Sequence, residues 1–351
     1  MNNKSFNLTI SSWAVFAFLR FLLAFIVMAS HMPTFGPIPA ILQNFEMLGG
    51  KAAVFGFLLI SGLSIGHSYS ISKSGYFQRR FIRIYPLYFI AVLFTIGLQY
   101  YLKSPYTLPG LDLVAAGLIT NFANFFFLQG FLVIPITYNG PLWSLSIEIF
   151  FYLLIPLFAK LPAKALACII LLSMAFYFVT PTYVAVGLMG YSALIYAWPW
   201  LTGYLLSRQQ VKSAIALIML GAFVVYSNKV LAVEALGWIT YIVVASLVFI
   251  SCFVSIKLNK AVLSIFNFLG EISYPLYLFH FPLLLLFFHL GVSNPWQLVL
   301  FVFIAVIPIN YIFDKWLKHQ FWRPLVRLLG EMVRTHIFPA KKRIINLPVT
   351  K

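Results

Sequence analysis

The residues equipped to do chemistry are few, and most stand inside apolar runs. Arg20 and His31 share one such run, SSWAVFAFLRFLLAFIVMASH. On a helix, eleven positions make three turns plus about 20°, so the two fall on one face, roughly 16 Å apart along the axis. An arginine at membrane depth is costly unless it is paired or hydrated, which makes Arg20 a candidate functional position. The competing structural reading is an arginine paired inside a helix bundle and a histidine at the water interface.

A second group is QRRFIRIYPLYFI, where Arg80 and Arg83 stand three residues apart and so on one helix face. Guanidinium forks suit phosphate, to which they donate bidentate hydrogen bonds. A basic run at the inner end of a membrane span also serves simply as a topology anchor. In NGPLWSLSIEIFFYLLIPLF the acid Glu148 lies five residues into an apolar span that opens with Trp143 and Ser144. It has three options: pairing with Arg20, orienting His31, or standing protonated as a structural group. The stretch GEISYPLYLFHFPLLLLF carries Ser273, Tyr274, Tyr277 and His280. The spacing of three from Tyr274 to Tyr277 to His280 makes one polar stripe, which interhelical hydrogen bonding alone would explain. Ahead of His67, FLLISGLSIG places small residues at Ser61, Gly62, Ser64 and Gly66, the composition of a close helix crossing. The histidines show no metal-site spacing, and Cys168 and Cys252 sit in apolar runs without ligand spacing, so no metal is expected.

These groups need elements to hold them. Of 351 residues, 62% are hydrophobic and 9% charged. That balance predicts an all-α, polytopic transmembrane helical bundle of about ten spans. The candidate spans are 12–31, 52–70, 84–102, 143–159, 165–181, 191–207, 213–228, 235–256, 270–290 and 296–316. A further apolar stretch, 111–133, contains Asp112, Asn121, Asn124 and Gln129 and would make a poor lipid-facing helix. Loop charge sorts the alternatives. Ten spans with both termini cytoplasmic leave only Lys51, Lys103 and Lys229 outside and Arg20 within the membrane, with the rest of the 24 lysines and arginines inside. An eleventh span at 111–133 would invert every later loop and abolish this asymmetry, so 104–142 is expected outside or re-entrant. The net charge of +17 then reports topology, and no nucleic-acid partner is expected. The chain reads as a single domain, 1–351, with a basic cytoplasmic tail from about 318 to 351. Its first span is too long, and too interrupted by Arg20, for a cleavable signal.

Four stretches in order, LRFLLAFIVMASH, FGFLLISGLSI followed by RRFIRIYPLY, PLWSLSIEIFFYLLIPL and SYPLYLFHFPLL, resemble the acyltransferase family 3 of integral-membrane proteins. The resemblance spreads over residues 19 to 285. It implies a membrane O-acyltransferase that takes an acyl group, usually acetyl, from cytoplasmic acyl-CoA and esterifies a hydroxyl of an extracytoplasmic polysaccharide or lipid-linked glycan. The implied setting is a cell membrane, foremost the bacterial cytoplasmic membrane, with no permanently bound cofactor. The implied partners are acyl-CoA, the envelope glycan acceptor and the lipid bilayer. By the same resemblance His31 is the expected general base, a role for which a near-neutral pKa is most useful. Arg20 would stabilise negative charge on the donor or the thioester oxyanion, with Glu148 as the third catalytic candidate. Arg80 and Arg83 would hold the CoA phosphates, and Trp143, Ser144, Tyr277 and His280 would serve substrate binding. The stretch FDKWLKHQFWRP departs from the commonest family ending, with Asp314 where glutamate is frequent. The alternative from another class is a transporter or flippase for a lipid-linked glycan, since intramembrane Arg, His and Glu also suit proton-coupled transport. Against it, no corresponding pair of Gly/Pro-broken spans marks two inverted halves.

Overall fold

A computed structural model describes residues 8–180, 190–227 and 236–336. Lys4, Lys229 and the basic tail beyond His336 lie outside the described residues. The fold is all-α. Its helices are α1 (Ile10–His31), α2 (Ala40–Met47), α3 (Gly50–Ile71), α4 (Tyr76–Tyr101), α5 (Leu118–Asn124), α6 (Trp143–Phe158) and α7 (Ala163–Val179). Then come α8 (Tyr191–Ser207), α9 (Val211–Ser227), α10 (Gly237–Phe253), α11 (Lys260–His289), α12 (Pro295–Ile309), a π-helical run Asn310–Trp322, and α13 (Arg323–His336). Among the described residues six helical stretches are long and apolar enough to cross a membrane: Ile10–Phe35, Gly50–Ile71, Tyr76–Tyr101, Thr137–Phe158, Lys260–His289 and Pro295–Met332. α7, α9 and α10 are shorter apolar helices.

Local chemistry sets the helix ends. Thr9 and Ser12 form a reciprocal capping box at the start of α1. Asn259 accepts from the Val262 N–H and starts α11 ten residues ahead of the expected 270, because the cap rather than the hydrophobic onset decides the boundary. α4 likewise begins at Tyr76, not 84, after a turn in which Gly75 takes φ +65°. Arg79 closes that turn by donating to the Ser72 and Ser74 carbonyls. The basic cluster therefore lies on the first turns of α4 rather than in a loop before it.

Contacts between helices give their relative directions. Phe18 of α1 stacks on Phe266 of α11 at 4.4 Å, and His31 lies against Phe281 further along, so these two run parallel. α3 runs the other way, with Arg20 beside Ser64 and Trp13 beside His67. Gly270 brings α11 close to α1: a Cβ there would collide with Ala17. The stretch 111–133 forms no spanning helix. Its first residues, β2 (Leu111–Leu113), pair with the preceding β1 (Tyr106–Leu108) in a two-stranded hairpin, and the seven-residue α5 and a series of turns follow. Its tip returns along α4: Phe127 stacks on Tyr88 at 4.0 Å, and Gln129 donates to the Tyr88 hydroxyl and to the Leu142 carbonyl. The segment 104–142, expected outside or re-entrant, packs here against the side of α4 through Tyr88. Pro282 in α11 has no N–H to give the Leu278 carbonyl, and Asn139 supplies the missing donor.

Candidate active site

Arg20, Arg80, Arg83, Glu148, Ser144 and Tyr277 all line one cavity of about 510 Å³, framed by α1, α3, α4, α6, α11 and the π-helical run. Its lower part is strongly charged. Arg20 donates to Ser64 Oγ at 3.0 Å. Arg80 donates to Ser68 Oγ at 2.9 Å and lies over the Tyr76 ring, while its buried Nε has no partner among the described residues. Arg83 is exposed to the cavity and its mouth. A guanidinium carries five N–H donors, so single serine contacts leave most of this donor capacity free for an anionic ligand. Lys318 also faces the cavity, paired with Asp314 one helical turn before it.

Among the described residues Glu148 is held by hydroxyl groups rather than by Arg20 or His31. Ser61 donates to its carboxylate at 2.6 Å, and Tyr152, one turn along α6, donates as well. Ser61 and Tyr152 are themselves 3.0 Å apart. Among the described residues no ion pair joins Glu148 to Arg20, although both line the cavity. Glu148 lines the cavity together with Arg20, Arg80, Arg83 and Lys318.

The far end of the cavity is built on Tyr277. Its hydroxyl donates to the Pro141 carbonyl at 3.0 Å and shares a short hydrogen bond with Ser144. One turn further along α11, His280 is fully buried. Its Nδ1 lies 2.8 Å from the Tyr277 carbonyl and 3.2 Å from that of Leu276, so this nitrogen carries the proton. The other nitrogen, Nε2, has no partner among the described residues. His31 stacks on His280 with ring centroids 5.4 Å apart and an interplanar angle of 27°. Neither histidine lines the cavity. Trp143 is also turned away, packed 5.0 Å from Tyr196. The structure thus groups Arg20, Arg80, Arg83, Glu148, Ser144 and Tyr277 in one cavity, and places His31 with His280 just beyond its end.

Sequence reading passed over Tyr152, Asp314 and Lys318 as site residues. The spacing of Glu148 and Tyr152 at i and i+4 was a usable signal. Asp314 and Lys318 have the same spacing but straddle the end of the last expected span, 296–316, and the start of the basic tail at about 318.

The family model Acyl_transf_3, an acyltransferase domain, matches residues 14–315. The chain belongs to this acyltransferase family. The match takes in every helix that frames the cavity, from α1 to the early π-helical run, and Lys318 stands just past its end. The chain is 36% identical over 120 residues to "Acyltransferase MdmB" of Streptomyces mycarofaciens, a match that covers 33% of this chain and 30% of that protein. It is 29% identical over 244 residues to "Putative acetyltransferase ORF330" of Acidianus two-tailed virus, covering 64% of this chain and 68% of the other. No solved structure matches it.

Proposed function

We propose that this membrane protein is an O-acyltransferase that moves an acyl group, acetyl first, from acyl-CoA on the cytoplasmic side to a hydroxyl of an extracytoplasmic polysaccharide or lipid-linked glycan. The observation that carries this reading is the layout of the polar groups. A cavity rich in free guanidinium donors lies next to a stacked imidazole pair, and Tyr277 and His280 of α11 stand one turn apart at the border between them. CoA presents phosphates at one end and a thioester at the end of a thin pantetheine arm. Arg80, Arg83 and Lys318 meet the phosphates, and Arg20 meets the arm or the developing oxyanion. His31 removes the proton of the acceptor hydroxyl, since hydroxyls are poor nucleophiles until a base takes that proton. The bond from the hydroxyl oxygen to the acyl carbon forms, the carbon–sulfur bond breaks, and the proton leaves with the CoA thiol. Six helices long and apolar enough to span support a membrane location; the ten-span topology with both termini inside, and a bacterial cytoplasmic membrane, belong to the same proposal.

The test is release of free CoA from acetyl-CoA by the purified protein in lipid nanodiscs, with and without envelope glycan from a strain lacking the gene. Glycan-dependent release, with acetyl ester on the recovered glycan, is the expected result. A transporter or flippase would leave the thioester intact.

A further inference from the structure

The cavity and the histidine pair do not communicate in this structure, and one side chain stands between them. Tyr277 lines the cavity on one side and contributes the carbonyl that holds His280 on the other. Its ring is packed edge-on by Phe57 at 5.4 Å, and its hydroxyl is held by both Ser144 and the Pro141 carbonyl. The residue is 7% exposed and Ser144 8% exposed, so the layer is dense. A continuous polar passage from the arginine cavity to His31 would carry water and small ions across the bilayer and bring bulk water to a thioester. Water exclusion is a general requirement where hydrolysis competes with transfer.

We propose that Tyr277 is the specificity-determining partition of this site. With its two hydrogen bonds made, it seals the arginine cavity from the histidine pair and keeps a bound acyl donor from water. Swung aside, it lets the reacting end of the donor reach His31. Opening requires that the phenol hydroxyl leave Ser144 and Pro141 and that the ring leave its contact with Phe57. The choice governed here is between two acceptors. In transfer, the glycan oxygen bonds to the acyl carbon. In hydrolysis, a water oxygen does so, the carbon–sulfur bond breaks, and the products are the carboxylate, the CoA thiol and a proton. The hydrolytic half of the proposal rests on the acyl-CoA reading above; the seal itself does not.

Two measurements on the full chain in native-lipid vesicles test it and separate it from that reading. The first is sidedness. Ser64→Cys places a thiol in the cavity beside Arg20, in a background with Cys168→Ala and Cys252→Ala. A membrane-impermeant methanethiosulfonate reagent should label it from the arginine side only, and Tyr277→Ala should open labelling from the His31 side. The second is acceptor-independent CoA release from acetyl-CoA. Tyr277→Phe keeps the ring but loses both hydrogen bonds, and release should rise about tenfold, the bias two such bonds supply together; Tyr277→Ala should exceed it. Equal labelling from both sides in the Tyr277 protein would overturn the proposal. So would one-sided labelling and unchanged hydrolysis in both variants at normal membrane levels. A change of sidedness without CoA release in any variant would leave the partition standing and remove the acyl-CoA reading instead.

Discussion

α3 shows two kinds of interface on a single helix. Toward α8 it presents Gly62 and Gly66. A Cβ on Gly62 would run into the Trp200 carbonyl, and one on Gly66 would meet Ser207 and the Tyr204 ring. Gly203 of α8 returns the contact against the Leu59 carbonyl. Toward α1 and α6 the neighbouring positions Ser61 and Ser64 reach Glu148 and Arg20 across the cavity. One stretch of small residues therefore does opposite things. On the glycine side it removes all space between backbones, which is how helices associate where lipid offers no hydrophobic drive. On the serine side it leaves space and supplies hydroxyls to hold charges there. Stability should be concentrated on the first face and chemistry on the second.

That contrast can be broken from either side. The largest effect is expected on the glycine face. Gly62→Val puts two methyls where no methyl fits, and overpacking against backbone costs about 3 kcal/mol or more. Little folded protein should survive detergent extraction and size-exclusion chromatography. A normal melting temperature would show that α3 and α8 are not locked as described. Next is His31→Ala. It should lower glycan acylation by about 10²-fold or more, the usual contribution of a general base, while CoA-analogue binding and melting temperature stay near those of the parent. Acylation at the parent rate would move the role of base to His280. The smallest effect is expected at the cavity mouth. Arg83 is exposed, so Arg83→Ala should leave the melting temperature within a degree or so while weakening CoA-analogue binding about tenfold, in line with the loss of one charged hydrogen-bonding partner. Arg83→Lys should recover only part of that, because an ammonium lacks the planar fork. Unchanged binding in both Arg83 variants would reduce the cluster to a topology anchor.

Much of this was legible from the chain alone because membrane helices write themselves in composition. The ten apolar intervals each overlap a helix among the described residues, six helical stretches are long and apolar enough to span, and the polar content of 111–133 marked it as a segment that would not make a spanning helix. The stripe Tyr274, Tyr277, His280 was visible from spacing, and so was the small-residue run from Ser61 to Gly66. What spacing did not separate was which small residues face lipid-like packing and which face charge. Ser64 and Gly66 are two positions apart and point to different neighbours, a distinction set by where α1 and α8 stand.

The sequence by itself determined a helical membrane protein with a few charges too costly to be idle, because desolvation penalises each one wherever the helices go. It also placed Arg20 and His31 on one face and too far apart to touch, since helix geometry permits nothing else. Only the tertiary structure decided the pairings. Glu148 is satisfied by Ser61 and Tyr152 rather than by Arg20. His31 meets His280, Trp143 turns to Tyr196, and Lys318 joins the cavity from a stretch that reads as tail. These contacts link residues far apart in the chain, and the directions of separate helices bring them together; no local pattern encodes that relation.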